Sequence, residues 1–228
     1  DVSFSVAPGE VVGLIGPNGA GKTTLVNLIS GVHRLSAGMI FFEGRRIDGL
    51  RPHRIARLGI ARTFQIVQPF PRMSVLDNVA TAALFAGGSR DPGEARARAA
   101  EQLAFVGLAD VAAQPAGILT LAARKRLELA KSLAMKPRVL LLDEVNAGLN
   151  PAEIAVALGL IQRLAERGLT ILIIEHLMKV VVTACARVIV LHHGELLADG
   201  RPDEIVRDAR VVEAYLGSRF ARAHGSPR

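Results

Sequence analysis

The stretch EVVGLIGPNGAGKTTLVNLISG (10–31) constrains this chain more than any other. EVVGLIG (10–16) is a nearly unbroken apolar run, the pattern of a strand covered on both faces. It ends in a glycine-rich loop. KTTLVNLISG (22–31) then reads as a helix with Gly31 at its C′ position. Strand, loop and helix in that order frame a match to G-x-x-x-x-G-K-[ST] over residues 16–23. Each residue type there has a chemical reason. Gly16, Gly19 and Gly21 allow backbone angles and close approaches that a Cβ blocks. The loop through Pro17, Asn18 and Ala20 can then turn its amides inward as an anion nest. The helix that follows points its positive dipole end at the same place. Lys22 is placed to reach β- and γ-phosphates, and the Thr23 hydroxyl to ligate Mg²⁺. Asn18 and Thr24 fit either as ligand contacts or as loop packing.

The rest of the chain alternates in the same style. RVLLLDE (138–144), LTILIIEH (169–176) and ARVIVLH (186–192) are further apolar runs, and HGELLADG (193–200) reads as a hairpin. NPAEIAVALGLIQRLAER (150–167) is a helix with Asn150 as N-cap, Pro151 at N1 and Glu153 at N3. MIFFEG (39–44) is a short strand and turn. From about Pro69 to Met135 the strand signal fades and the pattern is helical. Within it DPGE (91–94) opens a helix that stops at Gly107. The expected fold is α/β, a parallel-sheet core over 1–68 and 136–228 interrupted by a helical subdomain over 69–135. The tail 219–228 is polar and expected to fray.

RVLLLDE supplies the second half of a phosphate site. Its strand carries Asp143 to the C-terminal end, where α/β sheets bind ligands, so that the carboxylate can hold Mg²⁺ through water. Glu144 can serve as general base on an attacking water. His176 ends another strand and can sense the γ-phosphate. Gln65 is a neutral amide able to ligate Mg²⁺ or the water, with almost no signal of its own.

Composition removes other classes. The formal net charge is +7, which suits an anionic partner, but the chain has no Trp and one Tyr. A nucleic-acid reader would interleave its basic residues with base-stacking aromatics. No nucleic-acid partner is expected. The single cysteine, Cys185, lies in an apolar run and reads as a buried structural thiol. No run reaches the ~20 apolar residues of a membrane span, and no signal peptide is visible. DVSFSV (1–6) reads as a strand already under way, so that a segment upstream of Asp1 is expected.

In this order, GPNGAGKTTL, RTFQ, RVLLLDE, AGLNP and IEH resemble the ATP-binding subunit of ABC transporters, over nearly the whole chain. GIARTFQ, DEVNAGLNPAE, IIEHLMKVV and GELLADGRPDEIV look most like the branched-chain amino acid importers and their relatives for urea and amides. The resemblance implies a RecA-like P-loop core, a small antiparallel β region and the helical subdomain. It implies that residues 16–23 are the Walker A motif, Asp143 the Walker B acid, Glu144 the catalytic glutamate, Gln65 the Q-loop residue and His176 the switch histidine. Ala147, Gly148, Leu149 and Asn150 match the D-loop. The implied cofactors are ATP and Mg²⁺. The implied partners are a second ATPase subunit, transmembrane permease subunits and, indirectly, a periplasmic or extracellular solute-binding protein. The implied location is the cytoplasmic face of the membrane. The family's adenine-stacking aromatic should lie upstream of Asp1.

Between Gln65 and RVLLLDE the family carries a signature loop, usually Leu-Ser-Gly-Gly-Gln, that clamps the γ-phosphate of ATP held by the opposite subunit. Here Leu119, Thr120, Leu121, Ala122 and Ala123 stand in its place. Thr120 keeps the hydroxyl, Ala122 is nearly as small as glycine, and Leu121 departs. Arg124, Lys125 and Arg126 follow, either to pair with phosphate or partner acids or to be solvated. The resulting expectation is an ATPase that powers uptake of small solutes. The rivals are a regulatory nucleotide-binding module with weak hydrolysis and an ABC export ATPase.

Overall fold

A computed structural model describes residues 2–64 and 67–216. The strands are β1 (Val11–Ile15), β2 (Phe41–Phe42), β3 (Arg45–Arg46), β4 (Ile60–Arg62), β5 (Val139–Asp143), β6 (Thr170–Ile174), β7 (Arg187–His192) and β8 (Glu195–Gly200). Six of them form one sheet in the order β4-β5-β6-β1-β7-β8, parallel except for the β7–β8 hairpin. β2 and β3 pair antiparallel as a separate ribbon. The apolar runs read from the sequence are the inner strands: β1 and β6 are buried at every position.

Period-2 alternation sends the strand residues to two cores. Val11, Ile15, Leu140, Leu142, Ile171 and Ile173 face one side. They pack there with α3 (Val75–Phe85), α4 (Pro92–Phe105) and α5 (Leu121–Ala134) through Val79, Leu103 and Leu127. Val12, Leu14, Leu141, Leu172 and Ile174 face the other. Val26 of α1 (Lys22–Ile29) and Ile55 of α2 (Pro52–Leu58) cover that side. With both faces covered, only the strand ends remain for polar chemistry.

The helix between β5 and β6 is α6 (Pro151–Glu166). Its capping box is complete: the Glu153 amide donates to Asn150 Oδ1 at 3.0 Å, and the Asn150 amide to Glu153 Oε2 at 2.9 Å. At α4 the Glu94 amide donates to Asp91 Oδ1 at 2.9 Å, but the Glu94 carboxylate accepts from the Arg90 amide instead of the N-cap. The chain closes through α7 (Met178–Ala184), β7, β8, α8 (Pro202–Ile205) and α9 (Ala209–Leu216). The tail 219–228 lies outside the described residues.

One expectation is corrected. Residues 2–6 are not in a strand. Val2, Phe4 and Val6 are half-buried against the second core while Ser3 and Ser5 are exposed. The alternation is real, but among the described residues the segment joins no ladder, since β1 is already paired on both edges by β6 and β7. Short elements such as α2, at seven residues, and β4, at three, carry too little pattern to be read from the sequence.

Candidate nucleotide-binding site

Parallel register brings the candidate residues together. Leu14 of β1 and Asp143 of β5 both pair with Ile174 of β6. The loop after β1, the acids at the end of β5 and the turn after β6 therefore emerge side by side at the C-terminal edge of the sheet.

The loop is shaped by close approach. A Cβ at Gly16, where φ is +152°, would stand 2.2 Å from the Leu191 carbonyl oxygen. Gly21 caps α1 in the left-handed region, φ +102°. Lys22 is 8% exposed, and its Nζ donates to the carbonyls of Gly16 at 2.6 Å and Pro17 at 3.1 Å. Burial pushes its ammonium below the usual lysine range, while the carboxylates of Glu144 and Asp143 push it back. The cation and both acids therefore share one electrostatic neighbourhood. A cavity of about 200 Å³ is lined by Asn18, Gly19, Ala20, Gly21, Lys22, Thr23, Thr24 and Glu144. It is polar and ends on a helix N-terminus, the arrangement that accepts phosphate.

Asp143 is 3% exposed. Its Oδ2 accepts from Arg62 Nη2 at 2.7 Å, and its amide donates to Thr63 Oγ1 at 3.2 Å. Arg62 also donates to Asn27 Oδ1 of α1 at 2.6 Å and to Oγ of Ser30, the C-cap of that helix, at 3.3 Å. Sequence reasoning missed Arg62, since a lone arginine outside any readable element carries no signal. It also missed Glu175. That residue is fully buried, and its Oε1 accepts from the Asn146 amide at 3.2 Å and from Asn146 Nδ2 at 2.8 Å. The neighbouring His176 is exposed beyond the end of β6. Gln65 lies outside the described residues.

Thr120 is the N-cap of α5, its Oγ1 accepting from the Ala123 amide at 3.3 Å. Leu119 is buried, Ala122 half-buried, and Leu121 is 49% exposed. The basic run that follows corrects the sequence reading. Arg124 donates to the Gly117 carbonyl at 2.8 Å and Lys125 to that of Glu144 at 3.1 Å. Arg126 donates to the carbonyls of Val106 and Gly107 at 3.2 and 3.0 Å. All three tie α5 to its own chain, because the carbonyls that end nearby segments need donors. Between Asp143 and α6, the Ala147 amide donates to the Glu144 carbonyl at 3.1 Å, and that of Leu149 to the Asn146 carbonyl at 3.2 Å. Gly148 takes φ +77°.

The ABC transporter family profile matches residues 1–147, and that of the branched-chain amino acid ATP-binding cassette transporter matches residues 195–221. The chain is 40% identical over 230 residues to the high-affinity branched-chain amino acid transport ATP-binding protein BraF of Pseudomonas aeruginosa, covering 95% of this chain and 90% of that one. It is also 40% identical over 220 residues to the lipopolysaccharide export system ATP-binding protein LptB of Acidithiobacillus ferridurans, at 96% and 90% coverage. The crystal structure of the ADP conformation of MJ1267, an ATP-binding cassette of an ABC transporter, superimposes with a TM-score of 0.85 at 31% identity, over 95% of this chain and 91% of that one. On fold, phosphate loop and relatives together, the chain belongs to the ABC transporter family as an ATP-binding cassette ATPase.

Proposed function

We propose that this cassette powers uptake of branched-chain amino acids or related small solutes through membrane permease subunits, fed by an external solute-binding protein. The observation that carries the import reading is the match of residues 195–221 to the branched-chain amino acid transporter profile, beside the likeness to BraF. The likeness to LptB supports the second reading, an export ATPase. No helix among the described residues is long and apolar enough to cross a membrane. On the proposed reading the cassette works at the cytoplasmic face, attached through its permease partners.

In this mechanism the loop amides and Lys22 bind the β- and γ-phosphates of ATP. Nucleotide replaces the Gly16 and Pro17 carbonyls as partner of the Lys22 ammonium, trading neutral acceptors for charged ones. Glu144, which lines the same cavity, takes a proton from the attacking water, and His176 orients the γ-phosphate. Among the described residues no cluster of three or more His, Cys, Asp or Glu is arranged to hold a metal by itself. Mg²⁺ needs less: a carboxylate and a hydroxyl beside substrate phosphates suffice. Asp143 and Thr23 have that chemistry, with Gln65 as a further oxygen donor. Bound there, Mg²⁺ would neutralise charge on the transferring phosphoryl group. A second copy supplies its loop from Leu119 to Ala122 to the γ-phosphate, with the turn from Ala147 to Asn150 at the seam. ATP contacts present only in the closed pair shift the population towards it.

Gel filtration of Glu144→Gln with and without Mg-ATP tests the engine. An ATP-dependent shift from one copy to two is expected, and bound ATP without a shift refutes the paired site. Direction is tested by complementation. Rescue of branched-chain amino acid uptake in a strain lacking BraF is expected, whereas rescue of a strain lacking LptB would favour export.

A further inference from the structure

Glu144 takes φ +47°, a left-handed conformation that side chains larger than Gly, Asn or Asp seldom adopt. Such a residue persists only where its surroundings over-determine it. Here the surroundings can be named. The Glu144 amide donates to the Ile174 carbonyl at 2.9 Å, which extends the β5–β6 ladder by one bond. Its carbonyl accepts from the Ala147 amide and from Lys125 Nζ, each at 3.1 Å. Asn146, two residues on, is anchored to the fully buried Glu175.

Lys125 differs from the other holders in where it comes from. The bonds named above lie within the turn after β5 or between it and the end of β6, whereas Lys125 belongs to α5, the helix capped by Thr120. α5 is not packed tightly on this side. A cavity of about 230 Å³ separates it from α6, lined by Thr120, Ala122, Lys125, Leu149 and Glu153 among others. Lys125 lines that gap, and its Nζ reaches the Glu144 carbonyl. Burial pushes its ammonium below the usual lysine range, and the carboxylates of Glu175 and Glu144 push it back. Were α5 to move on the side of the gap, the Lys125 bond would carry that movement to the Glu144 peptide.

We propose that Lys125 is a positioning residue that ties the strained Glu144 turn to helix α5, so that hydrolysis at one ATP responds to what the α5 N-terminus engages on a second copy. This rests on the two-copy engine proposed above. When Thr120 and its neighbours grip the partner's nucleotide, α5 is fixed and the Lys125 bond holds Glu144 in line. When the grip is absent, α5 drifts and the glutamate loses its aim.

The test compares the wild type, Lys125→Arg and Lys125→Met. Nucleotide affinity, ATP-driven pairing (in the Glu144→Gln background) and the ATP dependence of steady-state hydrolysis are measured for each. Lys125→Met is expected to bind ATP and pair like the wild type, to lose about tenfold or more in kcat with KM little changed, and to drop its Hill coefficient towards 1. Lys125→Arg, which keeps a donor of similar reach, is expected to restore most of both. Hydrogen exchange of residues 144–149 should quicken in Lys125→Met without nucleotide. Unchanged kcat and Hill coefficient in a Lys125→Met protein that pairs would overturn the role of Lys125 alone. A wild type that binds ATP and never pairs would overturn the two-copy reading, and the coupling with it.

Discussion

Arg62 Nη2 stands 2.7 Å from Asp143 Oδ2, and both side chains are under 10% exposed. This buried pair joins the edge strand β4 to the acid at the end of β5. Through Asn27 and Ser30 it also reaches the helix that carries the phosphate loop. Arg62→Met would leave Asp143 buried without its hydrogen-bonded cation, with Lys22 as the remaining cation nearby. Loss of one partner of such a pair costs about 3–5 kcal/mol. Urea unfolding without nucleotide should show a loss of that order, and a change under 1 kcal/mol would show that the pair is not structural.

Lys22 should dominate nucleotide affinity. On the proposed reading Lys22→Ala removes a charged donor to the β- and γ-phosphates, and hydrogen bonds to charged groups contribute about 1.5–3 kcal/mol. Affinity for ATP should fall roughly 10- to 100-fold. Fluorescence titration with a labelled ATP, together with circular dichroism to show an intact fold, checks this. Unchanged affinity would refute the site.

Gly148 and Leu121 are sterically linked. A Cβ at Gly148 would come within 3.1 Å of Leu121 Cδ2, at a position where φ is already +77°. Gly148→Ala should cost about 1–2 kcal/mol, part strain and part contact. Leu121→Ala in the same chain should recover only the contact. A double-mutant cycle in urea separates the two, and full recovery would mean that the backbone is unstrained.

Cys185 is a test of burial. Its thiol is 8% exposed, and desolvation pushes it up to about 12. The folded value lies above the unfolded one, so the neutral thiol favours the folded state. That contribution is full below about pH 8.5, the unfolded value, and is lost as pH rises towards 12. The native protein should resist thiol reagents at pH 8 and react once unfolded. Its stability should fall less steeply above pH 9 in Cys185→Ala, and equal slopes would refute the shift.

The local parts of the site were legible because they are written in local chemistry. The phosphate loop announces itself by glycines before a lysine and a hydroxyl, flanked by strand and helix signals. The runs that became β1, β5, β6 and β7 are apolar at nearly every position, since helices cover both faces of the sheet. The capping box of α6 was visible as Asn150 and Glu153 three residues apart. Tertiary structure decided the rest. Arg62 meets Asp143 across 81 residues of chain, and Glu175 meets Asn146 across 29. The destination of Lys125 is a carbonyl 19 residues away. Hydrogen bonds of that range depend on strand order and register, and no periodicity in a single segment encodes either. The sequence by itself determined which groups are candidates for chemistry on phosphate. Folding decided which buried charges hold those groups, because a charge removed from water must find its partner wherever the sheet brings one.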